Sequence, residues 1–172
     1  MNNQSDQLAN TFLNEIKRRL FEENIPRLQK CLESLSTEQI WYRPNENSNS
    51  VGNLVLHLQG NVRQWIVSGL GGDPDIRERQ KEFEEKGPLP TDQLVNNLDQ
   101  TMSLVKTVLN NLKADQLLKI NQVQGYHESG ISILVHVTEH FSYHVGQITY
   151  IVKMLKDVDM NYYAGHDLNA KG

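Results

Sequence analysis

Six histidines are the residues of this sequence best equipped to do chemistry, because an imidazole can bind a metal ion or exchange a proton near neutral pH. His136, His140 and His144 recur every four residues and Gln147 continues the row. At ~100° per residue these four fall on one side of a helix. His57 belongs to a second row, Asn53, His57, Asn61 and Gln64. Residues four apart are helical neighbours, so either His136 with His140 or His140 with His144 can chelate one ion. All three cannot, because positions i to i+8 span about 12 Å of helical rise. Metal–nitrogen bonds of about 2.0–2.1 Å do not reach across that distance. A third ligand from the facing row, most naturally His57, would complete a three-histidine site with open positions, the mark of a catalytic rather than a structural ion.

The elements that must carry these rows are helical. Leu8, Phe12, Ile16 and Leu20 recur every fourth residue, and Leu28, Leu32 and Leu35 continue the stripe past Pro26, which is expected to kink or break the helix. Ser5 is a candidate cap. The turn-rich stretch 41–50 ends this period. A second helix over about 51–68 presents Leu54, Val55, Leu58, Val62 and Trp65, and the glycines and proline at 69–74 stop it. The charged run 75–86 reads as a solvated loop or a short exposed helix. Thr91 opens a third helix carrying Leu94, Leu98, Met102, Val105, Leu109 and Leu112. A fourth, over about 131–155, carries Leu134, Val137, Phe141, Val145, Ile148, Val152 and Leu155, with Glu139, Ser142, Gly146, Thr149 and Lys153 on its wet side. No stretch alternates with period two. Four amphipathic helices that cannot bury their stripes alone predict an all-α fold, a four-helix bundle with long connecting loops. The expectation is one domain over 1–172, with its core at about 5–155 and a polar tail from 156 to 172.

Composition narrows the function. A net charge of −4 argues against nucleic-acid binding, and 38% hydrophobic with 22% charged residues fits neither a disordered chain nor a membrane span. The first ten residues hold no apolar run, so no signal peptide is expected and a cytoplasmic location is the default. The one cysteine, Cys31, excludes a thiolate-rich zinc site and reads as a small buried apolar residue. Arg43 is a candidate anchor for a substrate carboxylate, although pinning its turn to a helix end is the simpler role. His127 and His166 read as solvated, and no residue stands out as a general base.

The segments NLVLHLQGN (53–61) and HVTEHFSYHVGQI (136–148), together with WYRPNENSNSVGNL and GNVRQW, resemble an uncharacterised Bacillus-type branch of the DinB-like superfamily of bacterial four-helix-bundle proteins. The resemblance spans roughly residues 5–155. It implies a metal triad of His57, His140 and His144, with zinc the first expectation and nickel the second. His136, Asn61, Gln147, Asn53 and Gln64 then become pocket-lining residues or partners of the ligands. It also implies a small-molecule substrate, a homodimer, and a metal-dependent hydrolase or thiol-dependent S-transferase that takes a low-molecular-weight thiol as cosubstrate. The alternative is a non-enzymatic, dimeric ligand-binding or stress-related module with a structural or vestigial site.

Overall fold

Pro26 is expected to interrupt the first helix, and the structure, a computed structural model describing residues 2–171, shows how the chain absorbs it. Helix α1 (Asn2–Lys17) widens into a π-helical segment (Arg18–Asn24) and resumes as α2 (Ile25–Glu33). Pro26 lacks an N–H and its ring crowds the carbonyl four residues back, and the wider turn relieves both constraints. The buried Asn24 amide donates to the Arg19 carbonyl at 2.8 Å and closes the bulge. Ser5 lies inside α1 rather than at its start.

The buried face of α1 is Ala9, Leu13 and Ile16, continued by Leu20 in the π-helical segment, whereas Leu8 is 73% exposed and Phe12 half-buried. A strict i+4 row advances ~40° per step and winds off the core, while mixed spacings of three and four stay on one side. For the other helices the apolar stripes lie as expected. Short α3 (Thr37–Trp41) leads to α4 (Val51–Val62), capped by Ser50, whose hydroxyl accepts from the Asn53 N–H at 3.1 Å. A second π-helical segment (Arg63–Ser68) extends α4, and α5 (Arg79–Glu84) crosses back against it. Helix α6 (Thr91–Asn111) packs on α4, and α7 (Ala114–Leu118) follows. Helix α8 (Gly130–Lys156) packs on α2 and α4 and buries Leu134, Val137, Phe141, Val145, Ile148 and Val152.

Two features depart from the helical expectation. Between α7 and α8 the chain forms an antiparallel hairpin, β1 (Ile120–Val123) with β2 (Tyr126–Ser129), in which Val123 pairs with Tyr126. Its two turn residues, Gln124 and Gly125, both have positive φ, as a tight hairpin turn requires. Strands of four residues with only Val123 fully buried leave no alternation to detect. The tail after α8 also docks on the bundle. Met160 is buried, and the Tyr162 hydroxyl bonds Thr149 at 2.8 Å and Cys31 at 3.1 Å. Thr149 is therefore half-buried rather than on the wet side, and Cys31 is fully buried.

Candidate metal centre

The two polar rows meet where α4 packs on α8. His57 Nε2 lies 3.1 Å from His140 Nε2, and His144 Nε2 lies 3.2 Å from the same atom. The three ring nitrogens that can act as ligands all fall within 4.8 Å of one another. A ring nitrogen has one in-plane position, either a lone pair or an N–H, so His140 Nε2 cannot hydrogen-bond both neighbours well. Convergence on a shared point accounts for the geometry better. Donors around a tetrahedral ion with bonds of about 2.0–2.1 Å sit ~3.3 Å apart, close to the two separations from His140, and with the third pair also within 4.8 Å the donor set suits a divalent metal.

The surroundings favour the neutral forms of His140 and His144, as ligation requires. Burial, and then the neighbouring His144 and His57, depress His140 to about 3. Burial also lowers His144, against the pull of its bond to Gln147. That bond, from His144 Nδ1 to Gln147 Oε1 at 2.7 Å, leaves Nε2 with its lone pair toward the cluster. Gln147 donates in turn to the Tyr143 hydroxyl at 3.0 Å. His140 Nδ1 and the Asn61 amide oxygen, one turn beyond His57, are buried polar atoms without a protein partner.

His136 stands apart from the cluster. Its ring packs on Trp65 with centroids 4.2 Å apart, and burial lowers it although Glu139 and Glu128 pull the other way. With Trp65, Tyr126, Glu128 and Glu139 it lines a cleft of about 650 Å³. A second cleft, of about 690 Å³, opens beside Gln147 and Tyr143 and is walled by Leu54, Tyr150, Ile151 and Met154. His127 and His166 are exposed.

The remaining members of the second row do not face those clefts. Their partners lie in the charged run 75–86, which forms the expected short helix over Arg79–Glu84 and is mostly exposed, but whose Arg77 and Glu82 side chains are nearly buried. Gln64 accepts from Arg77 Nη1 and donates to Asp75, both at 2.8 Å. Asn53 donates to the Glu82 and Glu85 carbonyls at 2.9 and 2.8 Å and accepts from Arg43 Nη2 at 2.8 Å. Arg43 also donates to the Phe83 carbonyl, so it pins its turn to the end of α5. Strapped down at both ends, the segment buries an ion pair against the site. Arg77 Nε and Nη2 donate to the two Glu82 oxygens at 2.7 and 2.8 Å, and Glu82 Oε2 lies 2.9 Å from His57 Nδ1. Burial pushes the Glu82 carboxyl up, but the bonds from Arg77 and His57 outweigh it and hold the group below its ordinary range. Sequence reasoning missed Arg77 and Glu82. In a run where most residues are charged, the hint is Phe83, which with Ile76 is one of its two apolar residues and whose ring centroid lies 4.8 Å from that of His57.

The fold matches the crystal structures of DinB-like proteins from Bacillus subtilis and Bacillus cereus. The first has TM-score 0.65 and 19% identity and covers 87% of this chain and 96% of that one. The second has TM-score 0.62 and 19% identity, covering 84% and 90%. It also matches a conserved protein from Enterococcus faecalis, with TM-score 0.65, 17% identity and 88% and 97% covered. The family model described as a protein of unknown function (DUF1572) matches residues 7–164, and the chain belongs to that family. No curated protein matches the sequence. Among the described residues, no helix is long and apolar enough to cross a membrane.

Proposed function

We propose that this chain is a metal-dependent enzyme in which His57, His140 and His144 hold a divalent ion, zinc first and nickel next. Its reaction would be thiol-dependent transfer to a small electrophile, or hydrolysis. The observation that carries this reading is the gathering of three histidine ring nitrogens from α4 and α8 within 4.8 Å of one another, with the Nε2 atoms of His57 and His144 on either side of His140 Nε2. When bound, the ion stabilises a thiolate or hydroxide at neutral pH, the nucleophile that either reaction needs. Three neutral imidazoles carry no charge, and the Arg77 guanidinium offsets the nearby Glu82 carboxylate, which favours an anionic fourth ligand. Buried Cys31 lies on α2, with its sulfur held by Tyr162, so the thiol comes from outside the protein. Gln147 orients His144, and the Tyr143 ring packs on it with centroids 4.9 Å apart. The apolar walls of the neighbouring cleft give an electrophile a surface to bind, with Gln147 and Tyr143 at its edge.

The test uses purified protein without a histidine tag. Elemental analysis is expected to find about one divalent metal per chain, with His140→Ala reducing it to background. Full occupancy in that variant would remove the triad. A chromogenic electrophile offered with several low-molecular-weight thiols should then be turned over by the wild type and not by His144→Ala. A metal-replete protein that turns over none of them would point to the non-enzymatic alternative.

A further inference from the structure

The contacts of His57 Nδ1 compete. Glu82 Oε2, which can only accept, lies 2.9 Å away, and Arg77 Nη2, which can only donate, lies 3.1 Å away. Because a neutral imidazole carries one proton, these neighbours favour opposite tautomers. Donation from Nδ1 to Glu82 leaves a lone pair on Nε2. Donation from Arg77 to Nδ1 places the proton on Nε2, and that nitrogen is then no ligand. We infer that Glu82, clamped by Arg77, is a positioning residue that holds His57 in its Nδ1–H tautomer and keeps the Nε2 lone pair aimed at the point shared with His140 and His144.

Three observations support this role over plain structural glue. Both side chains of the ion pair are nearly buried, 4% exposed for Arg77 and 10% for Glu82, and desolvating two charges is costly unless the geometry serves something else. Arg77 already places its fork on both Glu82 oxygens and Nη1 on Gln64, and of the two contacts to His57 Nδ1 that from Glu82 is the shorter. Gly60, on the turn of α4 after His57, leaves the space that the carboxylate fills, since a methyl group there would overlap Glu82 Oε1. Carboxylates that accept from the far nitrogen of a ligand histidine fix its orientation and raise its basicity.

This inference rests on the metal reading of the triad, but its first measurement does not. Long-range proton–nitrogen NMR correlations on the metal-free full chain, at alkaline pH, are expected to show His57 as the Nδ1–H form. Glu82→Met, which removes the acceptor and leaves Arg77, should convert it to the Nε2–H form. Arg77→Met, which removes the competing donor, should leave it Nδ1–H. Cobalt(II) added as a probe should bind Glu82→Met about 10–100-fold more weakly and bind Arg77→Met no more weakly than wild type. Should Glu82→Met fold poorly, Gly60→Ala displaces the carboxylate while keeping its charge, and the same shift in tautomer is expected. An unchanged tautomer in the folded variant, or equal effects of the two Met substitutions, would overturn the assignment. An Nδ1–H form that follows these substitutions in a protein binding no cobalt would leave the tautomer role standing and remove the metal.

Discussion

Each of the three clustered histidines is held differently, and their chemistry follows from those neighbours. His144 is oriented by Gln147 and His57 by Glu82, while His140 Nδ1 has no protein partner and its ring lies between the other two. The depression of His140 links its protonation to stability. In the unfolded chain its imidazole takes a proton near its ordinary value of 6.5, whereas in the folded protein this requires about pH 3. Between those values the unfolded state binds more protons, so stability is complete above 6.5 and falls as the solution is acidified. Thermal melts of the metal-free chain should show Tm decreasing steadily over that window. A flat profile would mean that His140 is not held neutral by its surroundings.

The helices show how far periodicity reaches. Helix α8 places alternating spacings of three and four against the core, and every member of its stripe from Leu134 to Val152 is buried. Phe141, fully buried at the centre of that stripe, sits one residue beyond His140. Phe141→Ala is therefore expected to cost about 3–5 kcal/mol, read from chemical denaturation. A loss below 1 kcal/mol would mean that the bundle collapses into the space. The first helix shows the limit, since Leu8 and Phe12 fit a four-residue row whose drift carries Leu8 out to solvent. The segment 75–86 shows a different one. Its charges, taken singly, belong in water, but Arg77 and Glu82 neutralise each other and are buried as a pair against α4. Apart from the adjacent Phe83, nothing local distinguishes that pair from its solvated neighbours.

At the scale of the whole molecule, segments outside the four long helices complete the structure. The strap over 75–86 closes one side of the histidine cluster, and the tail closes the far side of the bundle. Tyr162, whose hydroxyl burial and then Cys31 push up to about 12, joins α2 and α8 through Cys31 and Thr149. Arg27 stacks over both Tyr162 and Tyr163, with its guanidinium carbon 5.3 Å from each ring centroid. Removing this latch with Tyr162→Ala should open Cys31 to a thiol reagent that reacts slowly, if at all, with the native chain. Equal labelling rates in wild type and variant would show that the tail does not shield it.

The sequence by itself determined the four long helices, the buried faces of all but the first, and the two polar rows, because a 3.6-residue period is local and a helix with mixed spacings of three and four records which side faces inward. It also narrowed the pairing on α8 to His136 with His140 or His140 with His144, since spacing along one helix limits which histidines can share an ion. It did not say what each row meets. Tertiary structure decided that His136 stacks on Trp65 while His140 and His144 turn to His57, and that Asn53 and Gln64 grip a strap instead of lining a cleft. It also brought Glu82 to the far nitrogen of His57. These outcomes depend on which surfaces come together across long stretches of chain, and on whether two charges find each other before water does. No periodicity within a segment carries that information.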